Sequence, residues 1–309
     1  MNPLEVQYDK STRSGIVAVV GAANVGKSTL INTIVGEKVS IVSPVVQTTR
    51  NVIRAILTEP RGQLVFMDTP GVHKAKYDLG RMMNKMARTA ADGVDAVLLV
   101  LDAARPPREE DEGWMRRLMR PEQEAPVLIV LNKADRGAEH ARAYRERWAA
   151  VAREKNSDRT AEWMPASALT GDGVAPLTDR LFSLMPVGPL LFPDDVLTDF
   201  PRQLNMADVV REKYARRLQQ ELPHDLAVWI EGVEEESTQW TARGTVYVNR
   251  HSQKGIVLGA KGKLLKTVTS EAERELSEMY GRRVKLVLWV KVEKDWNRNY
   301  WMLKKLGYA

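Results

Sequence analysis

Residues 21–28 read Gly21-Ala22-Ala23-Asn24-Val25-Gly26-Lys27-Ser28, two glycines five apart followed at once by a lysine and a hydroxyl. That spacing suits a bound polyphosphate. The glycines let successive backbone N–H groups turn toward one anion, and a helix opening near Lys27 adds the positive end of its dipole. Lys27 would reach the β- and γ-phosphates of a nucleotide and the Ser28 hydroxyl would ligate Mg²⁺, with Thr29 beside it.

A second set of groups can read a base. Asn132-Lys133-Ala134-Asp135 follows an apolar run ending at Leu131, at the carboxyl end of a strand, where α/β sheets bind ligands. The Asp135 carboxylate can accept from guanine N1–H and from the 2-amino group. Adenine lacks that amino donor and presents an acceptor at N1, so ATP should be rejected by a factor of ~10⁴. Asp68-Thr69-Pro70-Gly71 also ends a strand. There Asp68 would hold Mg²⁺ through water and the Gly71 N–H would sense the γ-phosphate. Between Ser28 and Asp68 lies Gln47-Thr48-Thr49-Arg50, where a threonine should close over Mg²⁺ when the γ-phosphate is present. Thr49 is favoured; spacing leaves Thr48 open. Ala166-Ser167-Ala168 completes the series as a short loop able to support the guanine, through Ser167 and Ala168, from its other side.

Positioning these groups takes alternating strands and helices. Gly15–Val20, Leu64–Met67, Val94–Leu101 and Val127–Leu131 are short apolar runs, separated by enough chain for βαβ units. The phosphate loop leads into a helix through about Val35, and Ala138–Lys155 reads as a solvent-facing helix. This periodic character ends near Leu184. Met185–Asp195 then holds three prolines and a glycine, an extended linker by composition. Beyond it the spacing predicts a helix over Met206–Leu222 and strands over Ala227–Val233 and Thr241–Asn249. A glycine-punctuated turn, a helix over Lys263–Tyr280 and a strand over Val284–Val292 complete an α-β-β-α-β module. The expected division is a leader 1–14, an α/β domain 15–185, a linker 186–200 and a second domain 201–309.

The chain has 309 residues, 46 Lys+Arg and 40 Asp+Glu, a net of +6. From Lys254 to Ala309 there are 13 Lys+Arg and 6 Asp+Glu, so the whole excess lies in the last 56 residues. A polyanion partner at that end follows. No run approaches the ~18 apolar residues of a membrane span, and the first residues have no apolar signal segment. The absence of cysteine excludes disulfides, thiolate-held metals and cysteine nucleophiles. A soluble, cytoplasmic protein is expected.

Within the basic stretch, Gly259-Ala260-Lys261-Gly262 is a G-x-x-G loop carrying a lysine. Lys254, Gly255, Lys263 and Lys266 flank it, and no acid occurs from Lys254 to Ser270. Two glycines allow close approach of a nucleic-acid strand, and Lys261 offers charge to its phosphates. Ala260 supplies no side-chain donor. In the tail, Trp296, Tyr300, Trp301 and Tyr308 interleave with Lys294, Arg298, Lys304 and Lys305, an arrangement on which bases could stack. Trp296, Tyr300 and Leu303 fall on one helical face, and core packing is the favoured expectation for that face.

The five nucleotide elements in this order resemble the translation-factor-related GTPases. The asparagine in the phosphate loop and the Gln47–Arg50 stretch look like the bacterial Era family in particular, and the loop around Gly259–Gly262 resembles the KH module of that family. The resemblance covers nearly the whole chain. It implies an α/β P-loop GTPase domain with a parallel-rich sheet, followed by a smaller α+β type II KH domain. It further implies hydrolysis of GTP to GDP, with Lys27, Thr49 and Gly71 in the catalytic set and Pro70 and Val72 lining the site. Potassium beside the phosphates at Asn24 is implied as well. The implied partners are the 3′ end of 16S rRNA and the 30S ribosomal subunit, in rRNA processing and subunit assembly, with the protein a monomer. An alternative role is a membrane-associated switch in cell-cycle regulation, with the basic tail touching the inner face of the cell membrane. Val72 stands where Ras-like enzymes carry a water-positioning glutamine, and valine cannot orient water, so hydrolysis should be slow. His73 beside it is read as incidental rather than as a base.

Overall fold

The computed structural model describes residues 11–42, 49–72, 77–218 and 222–308. They divide into two units, each discontinuous in sequence. The first comprises residues up to Ser40, Asn51–His73 and Asn84–Asp199; the second comprises Ile41–Arg50, Lys74–Met83 and Phe200 onward.

In the first unit the expected apolar runs are strands. β1 (Arg13–Val20), β3 (Gly62–Asp68), β4 (Ala96–Asp102) and β5 (Val127–Asn132) form the centre of a six-stranded sheet. It is completed by β2 (Ile53–Glu59) and β6 (Glu162–Pro165), in the order β2-β3-β1-β4-β5-β6. All neighbours are parallel except β2 and β3. The run Ala96-Val97-Leu98-Leu99-Val100-Leu101 in β4 is buried throughout, because helices cover both faces of a parallel sheet. Each such Val or Leu side chain contributes ~1.5–3 kcal/mol by leaving water.

The helices of this unit are α1 (Lys27–Val35), α3 (Glu109–Leu118), α4 (Ala141–Lys155) and α5 (Val174–Leu184), while α2 (Asp78–Thr89) runs from one unit into the other. The chain leaves β1 at the middle of the sheet, between β3 and β4. Strand order reverses there, the position at which α/β sheets open a crevice at their carboxyl ends.

The proline-rich stretch docks on the edge of this sheet. Gln63, fully buried, accepts from Leu191 N (2.9 Å) and Phe192 N (2.8 Å) and donates to Phe192 O (3.0 Å). Ile56 N donates to Leu197 O at 2.9 Å. The outer strand is thereby partly covered, which protects it from pairing with another chain.

The second unit holds α6 (Arg202–Ala215), β7 (Leu226–Glu235), β8 (Gln239–Val248), α7 (His251–Leu258), α8 (Lys263–Tyr280), β9 (Arg283–Val292) and α9 (Tyr300–Lys305). Its sheet has the order β7-β8-β9, with β7 and β8 antiparallel and β8 and β9 parallel. α6 and α8 share its core through Val209, Val210, Tyr214, Val268, Ala272 and Leu276.

Three expectations are corrected. The first helix here is Arg202–Ala215 rather than 206–222. The region taken as a glycine-punctuated turn contains the helix α7, so the order is α-β-β-α-α-β. The backbone N–H of Arg250 donates to Gln253 Oε1 at 3.0 Å and closes the start of α7, while buried Val257 anchors it. The tail does not place three residues on one face: Trp296 lies in a separate turn over Trp296–Arg298, before α9. Trp296 and Leu303 are fully buried, but Tyr300 is 56% exposed. No helix among the described residues is long and apolar enough to cross a membrane.

Candidate functional site

At the carboxyl ends of β1, β3, β4, β5 and β6 the first unit brings together most of the residues singled out from sequence. The phosphate loop leaves β1 at Gly21, and Gly26 caps α1 with φ +99°. A Cβ at Gly26 would lie 2.3 Å from Asn132 Nδ2, so the loop and the base-reading segment are packed through that glycine. Asn24, also in the left-handed region at φ +62°, is of the residue type that tolerates it best after glycine.

Lys27 is buried, its Nζ donating to Gly21 O (3.1 Å) and Ala22 O (2.9 Å). These carbonyls hold the ammonium inside its own loop. Burial pulls its pKa down to about 8, opposed by the Asp68 carboxylate. The Ser28 hydroxyl donates to Asp68 Oδ2 at 2.6 Å. Asp68 is fully buried, and its Oδ1 has no hydrogen-bond partner among the described residues. Burial raises the Asp68 carboxyl, while the Ser28 hydrogen bond and Lys27 counteract the shift.

Beside Asp68, the Thr69 hydroxyl donates to Val19 O at 2.7 Å and is fully buried, so this side chain ties the loop to β1. Gly71 abuts the phosphate loop: a Cβ there would meet Ala23 Cα at 2.5 Å. Ala22 and Val72 form a parallel bridge, and the Val72 side chain packs against the core. Pro70 is buried between them in sequence.

The base-reading segment is braced from three directions. Asn132 is 1% exposed; its Nδ2 donates to Val25 O (2.8 Å) and its Oδ1 accepts from Ala168 N (2.9 Å). One amide thus joins the phosphate loop to the Ala166–Ala168 loop. Lys133 Nζ donates to Asn24 O (2.8 Å) and to Asp102 Oδ2 (2.7 Å). Asp135 is exposed, and its Oδ1 accepts from Ser167 Oγ at 2.6 Å, which fixes the carboxylate's orientation. Ala134 N donates to Ala166 O at 3.1 Å.

Asp102 was not foreseen. It ends β4 opposite Asn132 in β5, and Arg105 Nε lies 3.7 Å away. Its signal was a carboxylate at the carboxyl end of a buried apolar strand, the position that singled out Asp68.

Thr49 is buried and belongs to the second unit. Gln47, Thr48 and His73 lie outside the described residues.

In the second unit, Gly259 ends α7 and Gly262 opens α8, with Ala260–Gly262 a single 3-10 turn between them. Lys261 sits at φ +52°, and its side chain is exposed, as are those of Lys263 and Lys266. Lys254 and Gly255 are within α7 rather than in a loop. Ile256, 56% exposed, adds an apolar contact beside these cations. Such a surface can take phosphates along the loop and an unpaired base next to it.

A glycine cradle with a buried lysine, a serine–aspartate pair and an Asn-Lys-x-Asp base reader define a P-loop GTPase, and the second unit has the helix–loop–helix and small sheet of a KH module. The family model described as 50S ribosome-binding GTPase matches residues 16–133, and the KH domain model matches residues 221–297. GTPase Era of Geotalea uraniireducens is 42% identical over 301 residues, covering 97% of this chain and 99% of the relative. GTPase Era of Carboxydothermus hydrogenoformans is 38% identical over 303 residues, covering 97% and 99%. The chain belongs to the GTPase Era family. Among solved structures it is similar to a single-substitution variant of Aquifex aeolicus Era bound to GDP·AlF4⁻, with a TM-score of 0.87 at 34% identity over 96% of this chain and 100% of that one. It is also similar to an Era in complex with MgGDPNP and nucleotides 1506–1542 of 16S ribosomal RNA, with a TM-score of 0.88 at 34% identity over 96% and 99%.

Proposed function

We propose that this GTPase binds 16S rRNA near its 3′ end through the second unit and acts in rRNA processing and 30S subunit biogenesis, with RNA affinity set by the guanine nucleotide. The observation that carries the reading is the likeness, over nearly the full length of both chains, to the Era held with both MgGDPNP and the 16S rRNA segment. The exposed cations at Lys261, Lys263 and Lys266 beside a G-x-x-G loop supply the matching chemistry. The proposed division is 15–185 for the nucleotide domain, 186–200 for the linker and 201–309 for the RNA-binding domain.

The residues present fit a divalent cation. Ser28 Oγ and the unpartnered, buried Asp68 Oδ1 form an oxygen donor set of the kind Mg²⁺ takes together with nucleotide phosphates. Bound there, the ion would neutralise charge on the phosphate oxygens. Asn24 is the proposed contact for K⁺, on family resemblance.

The chain's own groups do the rest. Lys27 exchanges its carbonyl partners for β- and γ-phosphate oxygens. The Gly71 N–H faces the terminal phosphate, and Thr49 closes over the site when that phosphate is present. Asp135, oriented by Ser167, pairs with the guanine edge. Val72 offers no hydrogen bond to water, so turnover is slow.

Isothermal titration with GTP, GDP and ATP, each with and without RNA matching nucleotides 1506–1542, tests base choice and coupling together. GTP and GDP should bind and ATP should not, and the RNA should bind with different affinities in the two nucleotide states. Converting Lys261 and Lys263 to Glu should abolish RNA binding and spare GTP. RNA affinity that ignores the nucleotide, or survives this charge reversal, refutes the reading.

A further inference from the structure

The partly exposed cations of the second unit are commonly matched by carboxylates, as in Arg202–Glu235, Arg217–Glu271 and Arg243–Glu234. Three of the cations that lack such a partner converge. Arg250, Lys294 and Arg298 line one open cavity of about 330 Å³, together with Tyr77, Asp225, Asn249, Asp295 and Asn297. Among the described residues none of the three forms an ion pair; Arg298 instead lies over the Tyr77 ring, 5.0 Å from its centroid.

Asp225 does not neutralise them directly. Its oxygens accept from Asn249 Nδ2 (2.9 Å) and Gln253 Nε2 (2.8 Å). The other end of the same amide, Asn249 Oδ1, is buried without a hydrogen-bond partner among the described residues. Asp295 is the second carboxylate of the lining, so three cations face two acids, a net of +1, beside an acceptor without a partner. An anion that also carries a donor satisfies both.

Two and three residues beyond Arg298 come Tyr300 and Trp301, 56% and 73% exposed, with ring centroids 5.7 Å apart. Asn299 Oδ1 accepts from Trp301 N at 3.0 Å and fixes the start of the turn that carries them. Large exposed rings beside unpaired cations are the combination that single-stranded nucleic acids use, phosphates on the charges and bases on the rings.

We propose that this cavity is a second RNA subsite, distinct from the Gly259–Gly262 loop, in which Arg250, Lys294 and Arg298 hold a backbone phosphate and an adjacent unpaired base stacks on Trp301 or Tyr300. The inference rests on the rRNA-binding reading and deepens it. α7 separates the two subsites: Arg250 precedes its first residue and Gly259 follows its last, a span of about 12 Å at helical rise. One strand can therefore engage both. The 2′-hydroxyl of a ribonucleotide is the donor that Asn249 Oδ1 lacks, which favours RNA over DNA.

The test compares full-length wild type with Lys294→Gln/Arg298→Gln, Trp301→Ala and Lys261→Glu/Lys263→Glu. The probes are RNA matching nucleotides 1506–1542, its four-nucleotide fragments, the DNA of the same sequence, and inorganic phosphate. For the long RNA, the Lys294/Arg298 variant should bind on the order of tenfold more weakly. Its salt dependence should flatten by about 0.7 in log K against log [salt], at ~0.7 for the one phosphate no longer neutralised. Trp301→Ala should weaken binding with the salt slope unchanged. At least one four-nucleotide fragment should bind by the G-x-x-G loop alone and be insensitive to the Lys294/Arg298 change. GDP affinity and thermal midpoint, measured alongside, identify any variant that has lost its fold.

An unchanged affinity and slope for the folded Lys294/Arg298 variant overturns the subsite while leaving RNA binding at the G-x-x-G loop intact. Competition by millimolar inorganic phosphate at low RNA occupancy, with no effect of Trp301→Ala, assigns the cavity to free phosphate instead. Equal affinity for the DNA refutes the role given to Asn249. Failure of the wild type to bind any RNA is a different result, and removes the parent reading as well.

Discussion

The guanidinium carbon of Arg50 lies 5.6 Å from the centroid of the Trp296 ring, with the Tyr308 ring 5.7 Å away. Arg50 is 1% exposed, and its fork donates to Leu226 O (2.9 Å), Pro223 O (3.3 Å) and His224 O (3.3 Å). A cation removed from water is tolerated here because carbonyls and ring faces replace its hydration. Burial lowers its pKa, with Tyr308 opposing. Arg50 immediately follows Thr49, so the segment carrying the candidate switch threonine ends in an anchor built by the second unit.

Arg50→Lys keeps the charge but loses the planar fork and the stacking. It should destabilise the second unit by ~2–3 kcal/mol, the cost of leaving buried carbonyls and a poorly solvated cation. Urea unfolding followed by tryptophan fluorescence reads this directly. A change below ~0.5 kcal/mol would mean that the cage contributes little beyond packing.

Lys27 links nucleotide binding to pH. In the free protein, burial holds its ammonium at about 8, against the ordinary 10.5. Phosphates return the countercharge and raise that value, so the bound state holds more protons than the free state above pH ~8. GDP affinity should therefore be flat with respect to this group below pH 8 and decline above it. Calorimetry at about pH 8 in a pair of buffers of different ionisation enthalpy should show uptake of about half a proton per GDP. Equal heats in both buffers would mean that Lys27 is fully charged before the nucleotide arrives.

Asp135→Asn should shift preference from guanine to xanthine nucleotides. The variant amide, still beside Ser167 Oγ (2.6 Å from Asp135 Oδ1), offers one acceptor and one donor where guanine needs two acceptors. GDP affinity should fall at least ~100-fold, since a buried donor is left unmatched. Retained GDP selectivity would move base reading to another residue.

What was legible in the sequence is what local chemistry controls. The phosphate loop, Asp68 and Asn132–Asp135 stand at strand ends because continuous apolar runs identify buried parallel strands from sequence alone. β2 was not legible, since Ile53–Glu59 interleaves Arg54, Thr58 and Glu59 with its apolar residues, as an edge strand does. α7 was hidden by Gly255 in its interior, which lowers helix propensity by ~1 kcal/mol and is outweighed by burial of Val257. Tyr300 was misplaced because helical spacing was carried across Asn299, where the chain leaves one turn and starts another. Asp102 and Arg50 act through partners distant in sequence, Lys133 and Leu226, and no local pattern announces such pairs.

Gly71→Ala separates binding from turnover. The added Cβ would lie 2.5 Å from Ala23 Cα and 2.8 Å from Ala23 N, backbone atoms that no rotamer change can move aside. The Asp68–Val72 loop must therefore shift away from the phosphate loop, carrying the residue-71 N–H with it. GDP has no γ-phosphate for that N–H to meet, so its affinity should change less than about threefold. GTP hydrolysis should drop ~100-fold, the usual scale for losing one oriented donor to a transferring group. Single-turnover phosphate release measured beside GDP titration distinguishes the two effects. Wild-type turnover in the variant would show that Gly71 contributes space alone, whereas equal losses in GDP affinity and turnover would show that the whole cradle had been displaced.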